Sequence, residues 1–266
     1  MFLAAILQLY VSVRAWYDWE WRGQWTGRVL FMPLGLVLKI SSKPRIAHEG
    51  NIIRFVRAHT SIPLPRVLAA TEGFGRRFTL MRQVRGDNLE EAWRDLDRGQ
   101  RASIVEQLRS FVLQLRALPS PHGAAICGLD GAACIDSRVS SHAVGPFSNE
   151  GAFNDCLVDA ADPYTDDTTL RDIRSRMRDT HRIVFTHGDL APRNILVRGG
   201  TVVAMIDWEE SGWFPEHWEF VKAMYFPMPN PRDERWMEAV RDILSDDYEQ
   251  DWLMDRELSD RMVGAF

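Results

Sequence analysis

The chain of 266 residues has little cysteine, only Cys127, Cys134 and Cys156. An odd count, with no Cys-x-x-Cys pair and no Cys/His cluster at zinc spacing, argues against a disulfide scaffold and a structural zinc site, and for a reducing compartment. There is no excess of positive charge: 32 Lys and Arg face 37 Asp and Glu, a net −5. That argues against a nucleic-acid partner, which needs a basic face. No Asn-x-Ser/Thr sequon, internal repeat or low-complexity tract is present. Nor is there an apolar run of the roughly 20 residues that span a bilayer. Residues 1–13 (MFLAAILQLYVSV) come nearest, but have no basic flank before them and no small-residue cleavage site after them. We expect a helix or strand docked on the body of a cytoplasmic protein, with weak membrane association as the alternative.

The content that is present, 45% hydrophobic and 26% charged, is that of a globular protein. The length fits one large domain or two small ones. Residues 28–32 (RVLFM) and 36–40 (LVLKI) flank Pro33-Leu34-Gly35 and predict a β-hairpin. The spacing of Ile52, Ile53, Phe55 and Val56 predicts a helix over 47–58, ended by the prolines of Ser61-Ile62-Pro63-Leu64-Pro65. Strands are expected at 67–70 and 77–81. A polar connector, 82–87, then leads into helical spacing of Ile104, Leu108, Phe111, Val112, Leu115 and Leu118. Residues 119–165 read as loops with short helices. Trp236, Val240, Ile243 and Leu244 mark an amphipathic helix in the tail.

The stretch with chemical content is 186–209, THGDLAPRNILVRGGTVVAMIDWE. Ile195–Val197 and Thr201–Ile206 read as strands joined by Gly199-Gly200, a strong hairpin turn. A hairpin brings its open ends together, so Asn194, just before the first strand, meets Asp207, just after the second. Asp189 lies in the loop that enters the hairpin. Three oxygen-bearing side chains thus converge, hard donors of the kind Mg²⁺ prefers, with a further carboxylate free to orient or deprotonate a hydroxyl.

His187-Gly188-Asp189-Leu190-Ala191-Pro192-Arg193-Asn194 resembles the HGDxxxxN loop of the aminoglycoside phosphotransferase and choline kinase-like family, a small-molecule branch of the protein-kinase-like fold. Ile206-Asp207-Trp208-Glu209 resembles that family's metal-binding element. Residues 210–219 and 60–67 resemble fungal members. The resemblance implies an α+β, two-lobed protein-kinase-like fold. Residues 1–84 would form a small β-rich lobe with one helix, and 85–266 a larger helical lobe. It also implies roles. Lys39, oriented by Glu49, would contact the ATP phosphates. Arg82, Gln83 and Val84 in the hinge would hold adenine through their backbone. Asn194 and Asp207 would bind Mg²⁺, and Asp189 would act on the acceptor hydroxyl.

The departures concern the phosphate lid and one lysine. The glycine loop of protein kinases is reduced to Arg22-Gly23-Gln24-Trp25-Thr26-Gly27, and the first strand is either missing or is the tryptophan-rich segment 16–21. Ala191 replaces the lysine that many protein kinases carry two residues after the catalytic aspartate, which favours the small-molecule branch. Plain alternatives stand beside each role. Asp189, Asn194 and Asp207 also suit turns, Lys39 an edge strand, Glu49 and Glu219 a helix surface, Arg193 the surface, and His187 a brace for the loop. From Arg232 onward eleven acidic residues face five basic ones. This suits either a solvated helix or a cationic acceptor. The expectation is an ATP- and Mg²⁺-dependent kinase acting on a hydroxyl of a small molecule. A catalytically weak, nucleotide-binding or interaction protein of the same fold is the alternative.

Overall fold

The computed structural model describes residues 2–22, 28–42, 48–161, 165–224 and 231–261, with the side chains of 16–22, 141, 231–235 and 246 excepted. The glycine-containing segment after Arg22 and Trp25 therefore lie outside the described residues.

The chain opens with helix α1 (Phe2–Arg22), then strands β1 (Val29–Met32) and β2 (Leu36–Ser41). The pair forms the expected antiparallel hairpin, with Leu34 and Gly35 both at φ +65° in its turn. After helix α2 (Glu49–His59) come β3 (Val67–Gly73) and β4 (Arg76–Arg82), closing a four-stranded antiparallel sheet of order β1-β2-β4-β3. Alternation along β2 gives the sheet two faces. Leu38 and Ile40, with Leu30 and Phe78, are buried in one cluster with Ala4, Leu7 and Val11 of α1. Val37 and Lys39 point the other way, where α2 packs by Ile52, Ile53 and Val56. Gly50 is needed there, because a Cβ on it would sit 2.7 Å from the Ala70 methyl group. The notion of a strand over 16–21 is corrected: those residues continue α1. Extending a helix already docked by its first turns costs little.

After the sheet come β5 (Asp87–Asn88), α3 (Leu89–Ala92) and α4 (Arg98–Arg116). Helix α4 starts at a capping box between Asp97 and Gln100, and buries Ile104, Leu108, Phe111, Val112 and Leu115. Residues 119–165 hold more order than loops: β6 (Cys127–Gly128), β7 (Cys134–Asp136), β8 (Ser140–Val144) and α5 (Glu150–Asp159). Strands this short carry no readable alternation. β6, for instance, exists because it pairs with a distant strand, Gly128 opposite Gly212, 84 residues later. Then follow α6 (Asp167–Arg176), β9 (Ile183–Thr186), β10 (Ile195–Arg198), β11 (Thr201–Met205), β12 (Gly212–Pro215), α7 (Trp218–Met224), α8 (Pro231–Leu244) and α9 (Glu249–Ser259). β10 and β11 are the expected hairpin, with Ile195 opposite Met205 and Arg198 opposite Thr201. Trp236, Val240, Ile243 and Leu244 of α8 are buried as the spacing requires. Among the described residues, no helix is long and apolar enough to cross a membrane.

Four carboxylates of the acidic tail, Glu249, Asp251, Asp255 and Glu257, are ion-paired within the chain. Glu249 meets Arg241, Asp251 meets Arg178, and Glu257 meets Arg176. Arg138 donates to both carboxylate oxygens of Asp255 at 3.0 and 2.8 Å and to the Ser259 hydroxyl, all out of solvent. Removing one partner of a buried pair leaves the other charge uncompensated. Arg138→Met is therefore expected to destabilise the fold by about 3–5 kcal/mol. Urea denaturation checks this, and a midpoint equal to wild type would contradict it.

Candidate active site

Lys39 lines a 390 Å³ cavity together with Glu49, Asp207 and residues 81–84. Its ammonium donates to Glu49 Oε1 of α2 at 2.8 Å and to Asp207 Oδ1, just beyond β11, at 2.6 Å. Glu49 Oε1 also accepts the Trp208 backbone N–H at 3.1 Å. Burial alone would lower the Lys39 pKa, but the two carboxylates outweigh it and hold it above the ordinary lysine value. Burial raises the Glu49 pKa despite Lys39. At Asp207 burial works upward, but Lys39 prevails and the carboxyl is held below its usual range. Asp207 itself has φ +63°, a backbone region that non-glycine residues rarely occupy and that clusters at functional sites.

The loop before β10 is fixed from several sides. His187 Nδ1 accepts the Asp189 N–H at 3.2 Å, so its Nε2 carries the proton given to Ile206 O at 3.0 Å. The ring thus braces the Asp189 loop against the Asp207 segment. Gly188 has φ +80°, and a Cβ there would lie 2.2 Å from the Glu210 carbonyl oxygen, so only glycine fits. From α7, the buried Glu219 carboxylate accepts the N–H groups of His187 at 2.6 Å and Gly188 at 3.0 Å. Burial pushes its pKa up against those two bonds. The Ser211 hydroxyl donates to His187 O at 2.8 Å.

Asp189 Oδ1 accepts from Arg193 at 2.5 Å, and its Oδ2 accepts from Asn194 Nδ2 at 2.7 Å. Asn194 thus turns its amide nitrogen to Asp189, leaving Oδ1 as the oxygen not engaged there. The structure brings Asp189 and Asn194 together, and separately Lys39, Glu49 and Asp207. Arg193, read as a surface residue, is exposed and there pairs with Asp189. Glu49 and Glu219 are buried partners rather than helix-surface groups.

The hinge residues Arg82, Gln83 and Val84 line the cavity. The Arg82 and Gln83 N–H groups are already given to Arg66 O and Gly35 O, both at 2.9 Å. Among the described residues the Val84 N–H has no such partner. Sequence reasoning missed the apolar walls, Val29, Phe31, Val37, Met81, Leu196 and Ile206. Alternation around the buried Ile195 and Val197 was the signal that Leu196 faces elsewhere. It also missed a buried network behind the loop. There Lys222 pairs with Asp136 and Glu210, and Glu210 accepts from Ser137 N and Oγ. Its members come from three distant segments and have no common spacing.

The family model described as "Phosphotransferase enzyme family" matches residues 21–256. No curated protein sequence matches the chain. Among solved structures, ADP-bound aminoglycoside phosphotransferase APH(2'')-Ib is 13% identical with TM-score 0.56, over 88% of this chain and 79% of that one. The streptomycin–ATP complex of APH(2'')-IIa is 13% identical with TM-score 0.55, over 86% and 76%. Aminoglycoside phosphotransferase APH(4)-Ia is 15% identical with TM-score 0.53, over 94% and 97%. At these identities the likeness is one of fold, the two-lobed kinase-like architecture.

Replacing Glu219 by alanine would orphan two buried N–H groups, each at a cost of about 1–3 kcal/mol. Glu219→Ala is thus expected to lower the urea midpoint and to expose the amides of His187 and Gly188 to hydrogen exchange. Unchanged exchange at both amides would contradict the bracing.

Proposed function

The chain belongs to the phosphotransferase enzyme family, and from that premise we propose that it transfers the γ-phosphate of ATP to a hydroxyl of a small molecule. The observation that carries the reading is Lys39 held between Glu49 and Asp207 at the edge of an apolar slot, with the Asp189–Asn194 pair on the loop that enters the same hairpin. The slot fits a flat purine, and the Val84 N–H is the hinge donor left for its edge. Lys39 then meets the α- and β-phosphates, kept charged and aimed by its two carboxylates. The lobes divide near residues 84 and 85.

The donor set fits Mg²⁺. Asp207 uses Oδ1 for Lys39, and Asn194 uses Nδ2 for Asp189, so each keeps one hard oxygen for a metal. When bound, the ion neutralises charge on the phosphates. Asp189 orients the acceptor hydroxyl and takes its proton, held in place by Arg193 and Asn194. Catalysis of this kind is mostly positioning and electrostatics. The streptomycin bound by one neighbour supports a small polyhydroxylated acceptor. The acidic excess of the tail, eleven acidic residues against five basic ones, keeps a cationic acceptor within this reading. The free thiols of Cys127, Cys134 and Cys156 suit a cytoplasmic setting.

Asp189→Ala is expected to abolish phosphotransfer, by about 10²-fold or more, while nucleotide affinity measured by calorimetry stays near wild type. Asp207→Ala should weaken Mg·ATP binding as well. Near-normal turnover by Asp189→Ala would show that the base is misassigned.

A further inference from the structure

A second concentration of titratable groups lies at the far end of the strand pair that leads to the His187 loop. β9 and β12 run antiparallel with Ile183 opposite Pro215, and the Glu216 N–H continues the ladder to Arg182 O at 2.9 Å. One step further, His181 faces His217, their ring centroids 4.2 Å apart. Glu150, the first residue of α5, reaches both. Its Oε2 accepts the His181 backbone N–H at 2.8 Å, which fixes the carboxylate. Its Oε1 lies 2.6 Å from His181 Nδ1 and 3.6 Å from His217 Nδ1. The side chains of Glu150, His181 and His217 are 3%, 6% and 8% exposed. Among the described residues, His217 Nδ1 and His181 Nε2 are buried without a hydrogen-bond partner. Such groups are rare in folded proteins, and each calls for something to satisfy it.

We propose that Glu150, His181 and His217 form a binding site for a divalent transition metal, Zn²⁺ by its donor chemistry. Donor atoms of the three residues lie within 4.8 Å of one another. Tetrahedral zinc, with bonds of about 2.0–2.1 Å, has donor-to-donor edges of about 3.4 Å. The 3.6 Å edge from Glu150 to His217 is already close to that. The 2.6 Å edge to His181 is a proton-sharing contact, which opens when the metal replaces the proton. With the metal on Nδ1, His181 Nε2 carries its proton toward Asp251 Oδ2, 3.6 Å away, the outer carboxylate that zinc-bound histidines usually have. Arg178 already balances the charge of Asp251, so the three ligands together present the single negative charge of Glu150. Three protein ligands leave the fourth position to water. Imidazole nitrogens select zinc over magnesium, so this site differs in chemistry from the oxygen pair of Asn194 and Asp207. It does not depend on the phosphotransfer reading.

The test titrates Zn²⁺ alone into the full-length protein after chelator treatment, without nucleotide, by calorimetry and thermal melting. One ion per chain and a raised melting temperature are expected, with X-ray absorption of the loaded protein showing two imidazoles in the zinc shell. Losing an outer partner typically costs about 10- to 100-fold in affinity, so His217→Ala, which removes a ligand, should cost about 100-fold or more. Failure of the wild type to bind Zn²⁺, or equal affinity in His217→Ala and Glu150→Gln, would overturn the site. Should those variants fail to fold, the wild-type absorption spectrum decides, and a shell of oxygen donors only would overturn the site.

Discussion

The ammonium of Lys39 holds the two lobes to one geometry. It sits on β2, and its partners come from α2, ten residues on, and from beyond β11, 168 residues on. Glu49 and Asp207 are like charges brought close together, tolerable only with the cation between them. The Lys39 and Glu49 side chains are only 13% and 11% exposed, so removing either leaves the other's charge uncompensated, at a cost on the order of 3–5 kcal/mol; Asp207, 39% exposed, can turn to water and costs less. The same contact sets the angle of α2 against the sheet and, through the Trp208 N–H, the path of the chain after the hairpin. The walls of the cavity follow from these two placements.

The Asp189 loop is held by a different means. Its backbone, rather than its charge, is fixed: Glu219 takes two N–H groups, Ser211 and Ile206 are joined to His187, and Gly188 passes where no side chain fits. Asp189 and Asn194 are thus placed by groups that need not touch substrate. In the proposed reaction, the sheet and α2 hold the nucleotide while the braced loop presents Asp189 to the acceptor. That division suits a reaction in which positioning and electrostatics carry most of the rate.

The parts legible in the sequence were those whose partners are local. Gly199-Gly200 between two apolar runs specified the β10–β11 hairpin, whose open end joins the Ile206 N–H, beside Asp207, to Asn194 O at 2.9 Å. Helical spacing found α4 and α8. Lys39 and Glu49 were legible only through resemblance, since no periodicity says that a strand lysine and a helix carboxylate ten residues apart will meet. β6, β7 and β8 were missed because strands of two to five residues are made by pairing across the fold, not by local propensity. Residues 16–21, rich in aromatics that favour strands, are helical because α1 is already docked by Ala4, Leu7 and Val11. Glu150, His181 and His217 share no motif. They come together only when β9 and β12 align.

In the proposed reading this fold performs phosphotransfer with the glycine loop of protein kinases reduced to Gly23 and Gly27. The most direct measurement is ADP release from Mg·ATP across a panel of sugars and amino-alcohols, run beside thermal stabilisation by the nucleotide alone. Acceptor-dependent ADP release, with the phosphorylated acceptor identified by mass spectrometry, is the predicted result. Stabilisation by ATP with no phosphorylated product across a broad panel would contradict it and identify the chain as a nucleotide-binding protein that has kept the fold without the chemistry.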